Sequence, residues 1–233
     1  MRKDQLDKLK TLQDKAGIGP DDRGLLLDEV KPRDESQEAI RNALSRMIGS
    51  LAPIVGRDPL GVAINAMGLL VPGDGSKARR DVRTLVLTGR EGTGKTFLAC
   101  SALNTVLSWC YDGSFRGDVC YVVHREMDMD YRSAMGASGR SERDVFEKYF
   151  SKGLLVVDEI YRSTKSDYSI ENLELLIAKR YAWRRPTILI SNATRGQLFG
   201  DDRRPGMFDL HVIDRLRQGL FVESDGDSQR GRT

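Results

Sequence analysis

Apolar residues recur along this chain first at helical spacing and later in short continuous runs. Leu6, Leu9 and Leu12 lie three apart in a charged segment, which predicts an amphipathic helix over Asp4 to Lys15, ending near Gly17 and Gly19-Pro20. A helix this short is marginal alone in water and needs a surface, either its own domain or another protein. Ala16 to Glu35 is rich in Gly, Pro and Asp and reads as a linker with a brief apolar patch at Leu25 to Leu27. Ile40, Leu44, Met47, Ile48 and Leu51 share one face of a predicted helix from Ser36, its N-cap, to Leu51. Another helix is expected over Pro59 to Leu70, before the loop Val71 to Gly75.

From there strand and helix signals alternate. Strands are expected at Thr84 to Leu87, Val119 to His124, Leu154 to Val157, Thr187 to Ser191 and Leu220 to Glu223. Helices are expected at Thr96 to Tyr111, Glu126 to Met135, Ser141 to Phe150, Ser169 to Tyr181 and Phe208 to Arg217. Apolar strands alternating with helices predict an α/β fold, a parallel sheet with helices on both faces. The polar tail from Asp225 is expected to be disordered. The expected division is a helix and linker over 1–35, the folded domain over 36–224 and a tail over 225–233.

Gly89-Arg90-Glu91-Gly92-Thr93-Gly94-Lys95-Thr96 sits between the first of these strands and the helix beginning near Phe97. It fits the full phosphate-loop pattern G-x-x-x-x-G-K-[ST]. Its glycines let backbone N–H groups turn toward phosphates, Lys95 suits the β- and γ-phosphates, and Thr96 offers a hydroxyl to Mg²⁺. The next helix presents its positive end to the same anion. Gly89, Glu91, Gly92, Thr93, Gly94, Lys95, Thr96 and Phe97 are therefore the expected nucleotide-binding residues.

Leu154-Leu155-Val156-Val157 ends in Asp158-Glu159. At the carboxyl end of such a strand Asp158 is the expected carboxylate for Mg²⁺, and Glu159 the residue that orients the attacking water. Asn192 follows the strand Thr187 to Ser191 and fits two roles, a sensor of the γ-phosphate or lytic water, or a cap on the next turn.

Composition narrows the class. The chain is ordinary in hydrophobic (39%) and charged (30%) content, and no apolar stretch is long enough to cross a bilayer. Met1 to Lys15 lacks the apolar core of a secretory signal, so a cytoplasmic location is expected. Cys100, Cys110 and Cys120 lack metal-ligand spacing, and His124 and His211 stand apart, so no metal is expected beyond Mg²⁺. A net charge of +3 does not by itself imply nucleic acid. Between Lys179 and Arg217, however, nine basic residues face four acidic ones. That excess fits either a solvated face or a surface for phosphates.

Together, the phosphate loop, Asp158-Glu159, Asn192 and Ile213-Asp214-Arg215-Leu216-Arg217 resemble an AAA+ ATPase, most similar to DnaC-type helicase loaders and IstB-type transposition ATPases. The likeness covers roughly Arg83 to Glu223 and implies a P-loop sheet without a full C-terminal lid domain. It implies ATP as the nucleotide and assembly into a homo-oligomer. Within such an assembly Arg215, with Arg217 a weaker candidate, reaches a neighbour's nucleotide; the bland alternative is a salt bridge to Asp214 or Asp209. It also implies single-stranded DNA and a replicative helicase as partners, or duplex DNA and a transposase in the IstB branch. A nucleotide-gated adaptor with vestigial hydrolysis is the remaining alternative. The segment matching the loaders' DNA contacts is Tyr161 to Tyr168, where Lys165, Ser166 and Tyr168 mix phosphate and base chemistry. Tyr131 and Arg132 are weaker candidates of the same kind. Residues 1–82 hold no cysteine or histidine, so the zinc-binding N-terminal domain of some loaders is not expected.

Overall fold

The computed structural model describes residues 3–49, 51, 54–57, 63–65, 70–71, 83–111, 118–136, 139–161, 166–201 and 204–226. Five parallel strands form the central sheet: β4 (Thr84–Gly89), β5 (Val119–Val123), β6 (Leu154–Asp158), β7 (Thr187–Ile190) and β8 (Leu220–Ser224). Their order is β5-β6-β7-β4-β8. Side chains alternate between the faces, as the two-residue strand period demands. Leu85, Leu87, Val156, Ile188 and Ile190 enter one core, and Val86, Val122, Val157 and Leu189 the other.

The first core lies under α1 (Lys3–Lys15), α2 (Glu35–Gly49) and α3 (Lys95–Tyr111). The second lies under α4 (His124–Gly136), α5 (Glu142–Phe150), α6 (Asp167–Ala182) and α8 (Leu210–Arg217). Both faces are thus covered, as the alternation predicts. A short α7 (Arg195–Phe199), which the sequence reading missed, begins in a capping box between Thr194 and Gln197.

The segment read as a linker departs from its composition. Ala16, Ile18, Leu27 and Val30 are buried in the first core, and Tyr121 N–H on β5 donates to Ala16 O at 2.6 Å. Asn104 of α3 accepts from Gln13 at 2.9 Å and donates to Asp22 O at 3.1 Å. Glycine and proline here shape turns around spaced apolar anchors. Leu9 and Leu12 pack against the same core, so α1 rests on its own domain.

Three other readings are corrected. Asp34 caps α2 by accepting from Gln37 N–H at 2.8 Å, while Ser36, the expected cap, hydrogen-bonds Asp225. Asp225 is thereby held at the start of the expected disordered tail; 227–233 lie outside the described residues. In place of the helix expected over Pro59 to Leu70 there is an antiparallel sheet of β1 (Ile54–Arg57), β2 (Ala63–Asn65) and β3 (Leu70–Val71). Pro59, Gly61 and Gly68 weaken a helix there, while Ile54, Val55 and Ile64 suit strands; residues 58–62 and 66–69 lie outside the described residues.

Candidate active site

The carboxyl ends of β4, β6 and β7 converge on a cavity of about 480 Å³. Its lining combines Glu91 to Phe97 with Asp158, Glu159 and Asn192, three stretches brought together only by the sheet order.

From the end of β4 the backbone turns left-handed at Gly89, Gly92 and Gly94. Gly89 has φ +119°, and a Cβ there would lie 1.8 Å from Ser224 O on β8. At Gly94, with φ +89°, a Cβ would meet Gln37 Nε2 at 3.0 Å. Gln37, in the first turn of α2, in turn donates to Thr93 O at 3.3 Å and so braces the loop from outside. Helix α3 then starts at Lys95 with its N-terminus facing the cavity.

Lys95 is buried, and its ammonium donates to Gly89 O at 2.8 Å and Arg90 O at 2.6 Å. The cation is satisfied by loop carbonyls at the mouth of an anion site. Thr96 Oγ1 donates to Asp158 Oδ2 at 2.7 Å, and the Tyr121 hydroxyl donates to the same oxygen at 2.9 Å. The other oxygen, Oδ1, accepts from Glu159 N–H at 2.6 Å. Asp158 is buried, and these three donors fix its carboxylate in orientation.

Glu159 is exposed and takes a left-handed backbone, φ +52°, which costs a non-glycine residue on the order of 1 kcal/mol. The cost is borne where the chain turns out of β6 onto the cavity wall. Asn192 Nδ2 donates to Glu91 Oε1 at 3.3 Å, joining the end of β7 to the phosphate loop. Thr194, not Asn192, caps the following helix.

Two lining residues escaped the sequence reading. Tyr121 sits on the edge strand β5, and Asp22 comes from the 3₁₀ turn Pro20–Asp22. Burial, then Asp158's charge and its acceptance of the hydroxyl bond, push the Tyr121 phenol well above the usual tyrosine range. Burial, then Asp21 and Asp158, push the Asp22 carboxyl upward too. Neither belongs to a local motif, since each is delivered by the packing of residues 16–22 along β5.

Other expected residues lie elsewhere. Arg215 does not line this cavity; its Nη1 donates to His211 O at 2.8 Å within α8. Arg132 is exposed on α4, and Tyr131 is buried in the second core, leaving no ring face for stacking. Ser166 caps α6, and Tyr168 donates to Glu142 at 3.0 Å. Lys165 lies outside the described residues. Cys100 and Cys120 are buried free thiols. Among the described residues no helix is long and apolar enough to cross a membrane.

Comparison with known proteins identifies the family and the fold. A model of the family described as "IstB-like ATP binding protein" matches residues 77–233. The replicative helicase loader DnaC of Escherichia coli K12 is 27% identical over 167 residues, covering 67% of this chain and 63% of that protein. The DnaC relative from Buchnera aphidicola is 28% identical over 156 residues, 64% of this chain and 57% of its own. The chain thus spans less than two thirds of the length of these relatives. Among solved structures, the DnaC helicase loader aligns with TM-score 0.60 at 17% identity, covering 89% of this chain and 100% of that one. The replication initiator DnaA, solved with AMPPCP and single-stranded DNA, aligns with TM-score 0.60 at 16% identity, covering 90% and 51%. At such identities these two show a shared fold.

Proposed function

The chain belongs to the IstB-like ATP binding protein family, and from that premise we propose that it is an ATP-hydrolysing AAA+ enzyme of DNA replication. It grips single-stranded DNA and delivers or positions a replicative helicase. The observation that carries the enzymatic part is the shared oxygen of Asp158, held by Thr96 at 2.7 Å beside the buried Lys95. The replication part is supported by the DnaC relatives.

Each residue has a derived task. With its hydrogen bond directed to Asp158, the Thr96 hydroxyl keeps lone pairs for a cation. Thr96 and Asp158 form a small oxygen donor set of the kind suited to Mg²⁺, which leaves most positions to water and phosphate. Bound there, Mg²⁺ would neutralise charge on the β- and γ-phosphates. Lys95 exchanges its carbonyl contacts for phosphate oxygens. Glu159, exposed at the cavity wall, orients the attacking water, and Asn192 holds it or reads the γ-phosphate.

Arg215 completes the site in trans. It lies off its own cavity, so in a head-to-tail homo-oligomer it stabilises charge developing on a neighbour's nucleotide. The outer face of α1, where Asp7, Lys8, Lys10 and Thr11 are exposed, meets the helicase. The protein works in the cytoplasm. Arg132, Lys165, Ser166 and Tyr168 remain the first candidates for DNA contacts.

A second reading has its own support, because the matching family is the IstB-like one; it is a transposition ATPase that binds duplex DNA and recruits a transposase. Anisotropy of labelled single- and double-stranded DNA decides, at fixed salt, with a non-hydrolysable ATP analogue, with ADP and with Lys95→Ala. Triphosphate-dependent preference for single strands is expected. Duplex preference selects the second reading, and binding to neither refutes a DNA role.

A further inference from the structure

At the opposite, amino-terminal edge of the sheet lies a second cavity, of about 850 Å³. Arg46 of α2, Arg83 before β4, Arg184 after α6 and Arg217 at the end of α8 bring four guanidinium groups to its walls. Tyr181 joins them, and no acidic residue lines the cavity among the described residues. No hydrogen bond or ion pair engages the guanidiniums of Arg46, Arg184 and Arg217 among the described residues. The like charges of Arg46, Arg184 and Arg217 on one cavity wall repel one another unless an anion enters.

A separate observation names the kind of anion. Trp183, between Tyr181 and Arg184, is 68% exposed, an unusual state for so large an apolar ring. It is not loose. Its ring meets Phe150 edge-on at 6.1 Å and 88°, while the Arg185 guanidinium covers the Phe150 ring at 4.8 Å. Arg184 takes φ +56°, one of two left-handed non-glycine residues among those described; the other, Glu159, stands at the nucleotide cavity. The chain thus accepts strain at the turn in which Trp183 stands between Ala182 and Arg184, both of which line the arginine cavity.

We propose that this cavity and Trp183 form a contact site for single-stranded nucleic acid, with backbone phosphates against the arginines and one base against the indole. Arginine with an exposed aromatic ring is the chemistry of sequence-tolerant strand binding, and an indole platform requires an unpaired base. An acidic protein segment would engage the arginines and leave the indole without a stacking partner. The site shares no residue with Tyr161 to Tyr168 and accounts for part of the basic excess between Lys179 and Arg217. It rests on the reading that the protein grips single-stranded DNA.

The chain's own fluorescence tests it, because of its two tryptophans Trp109 is buried and Trp183 exposed. Full-length protein is titrated with an oligothymidylate of about 15 nucleotides, a length within the span of such grooves. Emission should be quenched, and Trp183→Ala should abolish the quench and weaken binding about five-fold or more. The double variant Arg46→Ala/Arg184→Ala should lower the slope of log affinity against log salt by about 1.4, two contacts at ~0.7 each. Oligonucleotide binding by anisotropy with unchanged emission and unchanged slopes would overturn this site and leave the proposed function standing. No binding in either assay would remove both. Equal quenching by oligoglutamate, or variants that lose self-association while binding oligothymidylate normally, would also overturn it. If the variants misfold, the quench in the unaltered protein still decides.

Discussion

Arg180 is the largest side chain with no solvent exposure among the described residues. Its Nε donates to Thr187 Oγ1 at 2.8 Å, Nη1 to the carbonyls of Tyr149, Phe150 and Lys152 at 3.0, 2.9 and 2.8 Å, and Nη2 to Pro186 O at 2.5 Å. The guanidinium therefore ties the end of α5 and the approach to β6 onto α6 and β7. Arg180→Met keeps much of the volume and removes every donor. Pro186 O retains a bond from Leu155 N–H, so the main loss falls on the other three carbonyls. At about 1.5 kcal/mol for each acceptor left unpaired, and with some offset because Met carries no charge to desolvate, the loss is about 3 kcal/mol. For a domain of this size that lowers Tm by roughly 6–12 °C. Urea denaturation of the nucleotide-free protein, with calorimetry, measures both. Arg180→Lys keeps the charge, reaches fewer acceptors and should fall between wild type and Arg180→Met. A loss below about 1 kcal/mol for Arg180→Met would refute the claim that these bonds hold the elements together.

Glu159→Gln should bind ATP with near-normal affinity and hydrolyse it at least about 100-fold more slowly, the scale of general-base catalysis; single-turnover assays check this, and a wild-type rate would remove the water-orienting role. Tyr121→Phe should raise the Mg²⁺ concentration needed for half-maximal binding of a fluorescent ATP analogue several-fold, since Asp158 Oδ2 loses one of two hydroxyl donors. The same variant carries a pH signature. The folded phenol titrates above its unfolded value, so its bond contributes fully below about pH 10, and wild type should lose stability relative to Tyr121→Phe as pH rises further. Arg215→Ala should bind ATP normally yet fail to hydrolyse it when assembled, and mixing it with Lys95→Ala should restore part of the rate if the arginine acts on a neighbour.

The parts of the site that a sequence displays are those built from consecutive residues. Gly89 to Thr96 and Leu154 to Glu159 each carry a strand, a turn and their chemistry in one stretch, and the structure brings both to one cavity with Asn192. Tyr121 and Asp22 were illegible because they act through tertiary contacts 37 residues or more from their partner in sequence. Residues 16–30 misled through composition, since glycine and aspartate were read as slack while Ala16, Ile18, Leu27 and Val30 supplied anchors too widely spaced to show a period. The helix expected at Pro59 to Leu70 fails because Pro59, Gly61 and Gly68 disfavour it from within. Arg180 looked like one more surface cation in a basic run. Its burial depends on carbonyls at the end of α5 and on the Thr187 hydroxyl of β7, groups that no local pattern brings near.

Tyr121 is gripped at both ends, its backbone N–H by Ala16 O and its hydroxyl by Asp158. A chain shortened to begin at α2 would lose more than a docking helix. It would strip Ile18 and Leu27 from the first core and cut the tether that steadies the edge strand beside Asp158. Such a trimmed protein would be sticky and poor at holding nucleotide, faults easily mistaken for an inactive enzyme. Any protein that pulls on α1 therefore has a short mechanical route, through Ala16 and Tyr121, to Asp158.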